Sequence, residues 1–417
     1  MGGSKRRRAR NRDAGVSKRE ADLPLDIISI MGGSKRRCAR NGDAGVSKRE
    51  VDLPLDIILD ILSRLPVESI MRCGSVCKTW YAFTQDPHFI KLQLSRTNNQ
   101  PARLILQPSG MDTDYYLNGL VLLDSEECKA RKVAIQEMNC TAHHIMCCCN
   151  GLVCIAAENM LNPVFICNPI TEECVTLPPS KSKIEDILSH NVALGFDSSS
   201  GKYKVVRAYK FLNKHEVTRF EIITLGENKW RKLIFPRSIR ECKIWRSVFW
   251  NGNLYWRISR KAGRQGRESI LAFGLSDEKF QMISIPASIG ARHLDLQLLV
   301  LDNCLTLVEH ESHMMHIWKV TGNMVEGFSL SPQQTYDTYV RWGGCFCYAV
   351  MLRSNPNRYL LQVSAMYQKG KVKSHFVHFS PDMAQYFPLD ITGLPEQFKT
   401  LCFNPSLVSP KAALLGF

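Results

Sequence analysis

SVFWNGNLYW, residues 247–256, sets two runs rich in aromatic and aliphatic residues on either side of Asn251-Gly252. Asn-Gly tolerates the positive φ angles of a type I′ turn, so the stretch reads as two antiparallel strands joined by a two-residue turn. The same dipeptide divides apolar runs at Asn118-Gly119 and at Asn150-Gly151. Further strand pairs are expected in FICNPITEECVTLP (165–178), in ALGFDSSSGKYKVVRAY (193–209, with a looser Ser-Gly loop), in ILAFGLSDEKFQMISIP (270–286) and in YLLQVSAMYQKGKVKSHFVHF (359–379). Across residues 100–417 short apolar runs alternate with turn residues, and the single stretch of helical character, residues 183–190, is short. Regularly spaced short strands favour a propeller, barrel or sandwich. Over a domain this large a propeller is preferred, because radial repetition leaves only short, protected strand edges.

Before residue 100 the periodicity is different. Asp52 is placed to cap, Pro54 suits a helix's first turn, and Ile57, Ile58, Ile61, Leu62 and Leu65 recur at helical spacing. Pro66 ends that helix. A second runs from Val67 to Cys73, Gly74 allows a turn, and Val76, Cys77, Trp80, Tyr81 and Phe83 make a third stripe that Asp86-Pro87 closes. Three short helices in so few residues cannot enclose that much apolar surface, so residues 51–95 should lean on something else.

Upstream lies a tandem repeat: residues 1–30 recur almost unchanged as residues 31–60. The copies are too rich in Arg, Lys and Gly to bury a core, and only the second continues into the helical stretch. Residues 1–50 hold 14 Lys or Arg against 6 Asp or Glu, which is +8 of the chain's +15 and leaves +7 for the rest. This leader is expected to be disordered. Lys5–Arg8 and Lys35–Arg37 also fit a nuclear-import or nucleic-acid tract, which makes a basic nucleic-acid-associated protein acting through its leader the alternative functional reading.

A hydrophobic fraction of 45% suffices for a sizeable core. The sixteen cysteines are expected as reduced thiols, because the chain is long, its start does not resemble a signal peptide, and no apolar run approaches a membrane span. That points to the cytoplasm, the nucleus or both. No phosphate-binding loop or nucleophile elbow is present, and the two histidines of His310-Glu311-Ser312-His313 are three apart where a zinc helix needs four. His143, His144, Cys147, Cys148, Cys149 and Cys154 are metal-ligand types, yet they lack a C-x-x-C pair, and consecutive strand residues face opposite ways. Neither a metal site nor a cofactor is expected. The tryptophans 230, 245, 250, 256, 318 and 342 are read as packing between sheets.

LPLDIILDILSRLPVESIMRCGSVCKTWYAFTQDPHF, residues 53–89, resembles an F-box of the plant type in its paired Leu-Pro dipeptides, its V-C-K-x-W segment and its D-P-x-F exit. CNGLVCI (149–155), NPITEECVTLP (168–178), GFDSSSGKYKVVR (195–207), ITLGENKWRKL (223–233), VFWNGNLYW (248–256), ILAFGLSDEKF (270–280) and HIWKV (316–320) resemble, in that order, the F-box-associated domain that follows plant F-boxes. Kelch repeats would show Gly-Gly pairs at a period of about 50; only Gly343-Gly344 is present there, so any repeats are degenerate.

The resemblance implies a chain that is mainly β with a small α-helical module: a leader at 1–50, a three-helix F-box at 51–95 and a β-propeller-like domain at 100–417. It implies a non-catalytic specificity subunit of a ubiquitin ligase, with a Skp-type adaptor and through it a cullin–RING ligase as partners, and a protein target whose identity the resemblance leaves open. Membrane and nucleic acid are not partners on this reading. Carried over, the adaptor contacts are Leu53, Pro54, Ile57, Ile61, Leu65, Val76 and Trp80, an apolar helical surface with Pro and Trp anchors. Cys73 and Gly74 stand where the family commonly has an aromatic and a basic residue, which points to weaker adaptor affinity, since Gly inside a helix costs about 1 kcal/mol. For the target, Arg257, Arg260, Lys261, Arg264 and Arg267 are candidates for a rim loop that attracts an acidic or phosphorylated segment.

Overall fold

In the computed structural model Asn251 and Gly252 take φ of 46° and 74°, and Asn150 and Gly151 take 51° and 79°, so both dipeptides make the tight turns read from the sequence. The structure describes residues 54–415 apart from 99, 101, 109–118, 125–128, 136–142, 158–160, 181–186, 212–216, 261–266, 287–288, 290–294, 312–313, 324–326, 338–345, 356–357, 367–371, 381–382 and 384. The duplicated leader lies outside the described residues. The chain divides into two units, residues 1–62 and 63–417, and each is described by itself.

The first unit holds most of helix α1 (Leu55–Ser63), whose first turn forms as Ile57 and Ile58 donate to the Pro54 carbonyl at 3.1 and 3.2 Å. The second unit opens with α2 (Val67–Gly74), α3 (Lys78–Gln85) and α4 (Pro87–Thr97). The fourth helix departs from the expectation of three. Asp86-Pro87 closes α3 but also starts α4: the Asp86 carboxylate accepts from the His88 amide at 3.3 Å, and Pro87 fills the first helical position, where its missing N–H costs nothing.

Twenty-four strands follow, in six antiparallel sheets of four. Blade 2 is β4 (His143–Cys149), β5 (Leu152–Ala157), β6 (Val164–Asn168) and β7 (Glu173–Thr176). Blade 3 is β8 (Ile187–Asp197), β9 (Lys202–Phe211), β10 (Arg219–Thr224) and β11 (Arg231–Lys232), and blade 4 is β12 (Lys243–Trp250), β13 (Asn253–Arg260), β14 (Arg267–Gly274) and β15 (Phe280–Ser284). Blade 5 runs from β16 (Asp295–Leu301) through β17 (Cys304–Glu311) and β18 (Met314–Asn323) to β19 (Gly327–Asp337). Blade 6 runs from β20 (Phe346–Asn355) through β21 (Arg358–Met366) and β22 (Val372–Ser380) to β23 (Gln385–Leu389).

Blade 1 is composite. β1 (Arg103–Pro108), β2 (Gly119–Asp124) and β3 (Lys129–Ala134) are completed by β24 (Phe398–Phe403) from the far end of the chain, which pairs with β1 from Arg103↔Phe403 to Pro108↔Phe398. The first strands of successive blades pack side by side around the ring, β24 on β4, then β8, β12, β16 and β20, and β20 returns to β24. The domain is a closed six-bladed propeller. Its core lies between blades: Val192, Leu194 and Val205 meet Cys154 and Ile166, and Phe220 and Ile222 meet Trp256 and Phe273.

Some local readings fail. Of the stretch read as helical, residues 183–186 lie outside the described residues, and residues 187–190 begin β8, with His190 opposite Tyr209, so that cross-strand pairing there overrides a local helical preference. The turn read at Asn118-Gly119 lies outside the described residues at Asn118, and Gly119 is the first residue of β2. Cys167 and Cys174, opposite each other on β6 and β7, are joined as a disulfide, which corrects the expectation of thiols throughout. No helix among the described residues is long and apolar enough to cross a membrane.

Candidate functional site

Helix α2 seals one face and leaves another open. Val67, Ile70, Cys73 and Gly74 are buried, with Ile70 fully so, whereas Met71, at the border of that face, is exposed. Gly74 is the last residue of α2, not an interior one. A Cβ there would stand 3.2 Å from Thr84 Cγ2 of α3, so the missing side chain lets the two helices close together. Val76, in the turn between them, is 56% exposed, and Tyr81 on α3 is 59% exposed. Helix α4 holds this layer on the propeller: Ile90 and Leu94 pack against the apolar cluster of blades 2 and 3, and Glu68 of α2 meets Arg103 of β1 at 2.6 Å. In the first unit, Leu55 and Ile57 of α1 are likewise exposed while Leu62 is buried.

Of the residues expected to contact an adaptor, Leu53 lies outside the described residues. Pro54, Ile57 and Val76 are exposed, and Ile61, Leu65 and Trp80 are half-buried. Ile57 and Ile61, four apart, share a face of α1. Six of the eleven exposed large hydrophobic residues among the described ones, Leu55, Ile57, Met71, Val76, Tyr81 and Leu92, fall within residues 55–97, a short stretch to hold so many.

Of the five rim candidates only Arg257 has a described side chain. Lys261 and Arg264 lie outside the described residues. Arg260 and Arg267 pair at the ends of β13 and β14, and only their backbone is described. Arg257 does not reach the rim. It is buried, its guanidinium sits 3.9 Å over the Trp245 ring and 3.1 Å from the Glu268 carboxylate, and it donates to the Leu296 carbonyl. β13 is buried on both faces, Trp256 on one and Tyr255 on the other, so Arg257 is enclosed between its own blade and Leu296 of the next.

The structure also shows a buried polar group that the sequence did not single out. Arg207 on β9, fully buried, meets Glu221 on β10 at 2.6 Å and donates to the Leu161 carbonyl at 3.0 Å. The Tyr209 hydroxyl and the Ser180 hydroxyl also donate to Glu221, at 2.9 and 3.1 Å. The Trp230 ring lies 3.9 Å beneath the guanidinium. This is a satisfied core network, closed to ligand.

Between blades 3 and 4, Lys204 meets Asp197 at 3.2 Å and Glu278 at 3.1 Å, beside a cleft of about 420 Å³ lined also by Arg231 and Leu414. Burial acts to raise the Asp197 carboxyl, but hydrogen bonds from Ser199, Ser200 and Lys204 outweigh it and hold the group well below the usual carboxylate range. Glu278 is lowered in the same way, by Arg231 and Lys204 against its own burial.

The cysteine cluster is a piece of core. Cys147, Cys149 and Cys154 are buried between blades 2 and 3, Cys148 donates to the Cys402 carbonyl at 2.7 Å, and burial pushes the Cys148, Cys149 and Cys154 thiols up, with Cys402 at about 12. Such thiols stay protonated and unreactive at neutral pH. Among the described residues no group of three or more His, Cys, Asp or Glu is placed to share a metal ion.

Residues 51–91 match the family model described as F-box-like, and residues 117–319 match that of the F-box associated beta propeller domain. The chain is an F-box protein with an F-box-associated β-propeller. The propeller match spans β2 to β18, and the structure completes the ring with the strands on either side. Relatives in Arabidopsis thaliana include F-box protein At5g49610, 29% identical over 66% of this chain and 76% of its own length. F-box protein At3g07870 is 24% identical over 82% of this chain and 88% of its own length. Putative F-box/kelch-repeat protein At3g17570 is 27% identical over 54% of this chain, which spans 57% of that relative. Within this F-box protein five of the eleven exposed large hydrophobic residues among the described ones, Leu55, Ile57, Met71, Val76 and Tyr81, fall in the F-box-like stretch, and the saturated polar network around Arg207 falls in the propeller.

Proposed function

We propose that this chain is the target-receptor subunit of an SCF-type (Skp–cullin–F-box) ubiquitin ligase. Its helical region binds a Skp-type adaptor, which connects it to a cullin–RING ligase, and its propeller holds a protein for ubiquitination. The observation that carries the reading is the exposure of Met71, Val76 and Tyr81 on α2–α3, beside an inner residue as well buried as Ile70. A helical surface of that kind is what a partner's groove covers, with a few large side chains supplying most of the binding energy. F-box proteins act in general as receptor subunits and not as catalysts. Holding a target beside a charged conjugating enzyme raises the local concentration of its lysines, and the receptor itself makes no bond. The cytoplasm, the nucleus or both are the compartments that go with this reading.

The test is co-purification of the full chain from cells with the Skp-type adaptor and the cullin. The wild type is expected to recover both. A variant combining Leu53→Ala, Pro54→Ala and Val76→Asp is expected to lose both while its melting transition is kept. Equal recovery by the two chains defeats the proposal.

A further inference from the structure

Between β11 and β12 the chain crosses from the outer edge of blade 3 to the inner strand of blade 4, and this crossing sorts its residues sharply. Leu233, Phe235, Ile239 and Cys242 turn into the cluster shared by the two blades. Lys232, Arg237, Arg240 and Lys243 turn to solvent. Among these basic side chains stands Ile234, 97% exposed, the most exposed large hydrophobic residue among the described ones. Residues 229–243 hold six Lys or Arg against one acid, Glu241, so these fifteen residues carry +5 of the +7 that belongs to residues 51–417. The inward anchors fix the crossing, and its outer side is then a rigid cationic strip around one apolar point.

We infer that this outer strip of blade 3, residues 229–243, is the docking surface for an acidic segment of a target protein, whose carboxylates face Lys232, Arg237 and Arg240 and whose apolar side chain covers Ile234. The inference deepens the receptor reading above and rests on it. Charge complementarity selects the occupant: exposed guanidinium and ammonium groups draw carboxylates and speed encounter. Ile234 discriminates between polyanions, because a phosphate backbone offers nothing apolar to lie on an isoleucine. Single-stranded nucleic acid would need exposed rings for its bases to stack on. Here Trp230 is turned under Arg207 and Phe235 into the core.

Fluorescence anisotropy tests this with the purified full chain and two labelled probes, a short peptide of Glu and Asp interrupted by Leu, and an oligothymidylate of equal charge. The peptide is expected to bind more tightly than the oligonucleotide. Binding should weaken about tenfold in Arg237→Glu/Arg240→Glu and severalfold in Ile234→Ser, and should fall as salt is raised. Absence of peptide binding, equal binding by the variants, or tighter binding of the oligonucleotide with Ile234→Ser unaffected each overturns the inference. Adaptor binding is measured on the same samples. Its failure with peptide binding intact removes the receptor reading alone, and the converse removes this surface alone.

Discussion

Blade 3 and the α2–α3 layer handle their energetically awkward groups in opposite ways. Blade 3 draws charge inside and satisfies it: Arg207 is fully buried, yet its guanidinium reaches Glu221, the Leu161 carbonyl and the Trp230 face at once. The α2–α3 layer turns apolar groups outward, with Met71, Val76 and Tyr81 open to water although Ile70 and Cys73 beside them are sealed. A group that completes its own interactions serves stability. One left without cover raises the free energy of the isolated chain and repays it only when a partner arrives. Substitutions in the two places should therefore fail differently, the first in folding and the second in binding.

The largest effect is expected at Arg207. Arg207→Met leaves the Glu221 carboxylate buried without its cation, and removing one partner of such a pair costs about 3–5 kcal/mol. Chemical denaturation should show the midpoint falling by a corresponding amount. Next comes Asp197→Asn, which strips Lys204 and two serine hydroxyls of a charged acceptor and should cost roughly 1–3 kcal/mol at neutral pH.

The pH dependence follows from sign. The Asp197 and Glu278 carboxyls are lowered in the folded chain, so their contribution is complete above the unfolded carboxylate range near about pH 4 and is lost as pH falls through the lowered values. Wild-type stability should decline with acidification below that range, and Asp197→Asn should decline less steeply. Equal slopes would contradict the assignment.

In the α2–α3 layer the ordering reverses. Val76→Asp should move the unfolding midpoint by no more than about 0.5 kcal/mol, the usual range for a surface substitution. The smallest effect is a footprint. Cys77 is exposed, the other described free cysteines are buried or half-buried, and maleimide should label it first among them. Bound adaptor should slow that labelling, and an unchanged rate would place the interface elsewhere.

Much of the fold could be read locally, and the reasons are visible in single residues. Asn251-Gly252 specifies its turn without help from the rest of the chain, as does Asn150-Gly151. What could not be read depends on partners remote in sequence. β24 completes blade 1 across nearly three hundred residues, and no local pattern marks Phe398–Phe403 as the partner of Arg103–Pro108. Residues 187–190 needed Tyr209 and Phe211 opposite them to become strand.

The candidate sites divide in the same way. Ile57 and Val76 were singled out by helical spacing and the family motif, and the structure leaves both exposed. Arg257 was misread because a basic residue near a loop looks solvated until the neighbouring strands and the next blade enclose it against Trp245, Glu268 and Leu296. Ile234 passed unnoticed because nothing in its neighbours distinguishes an outward isoleucine from the inward Leu233 and Phe235 on either side.

A titration of purified Skp-type adaptor into the full-length chain, wild type against Val76→Asp/Tyr81→Asp, reads the central claim directly. Saturable binding by the wild type is expected, with a loss of roughly a hundredfold or more in the variant, as for the removal of central anchor residues, and with the two melting curves superimposed. Wild-type chain that does not bind, or a variant that binds equally well, would show that the open side of these helices is not where a partner sits.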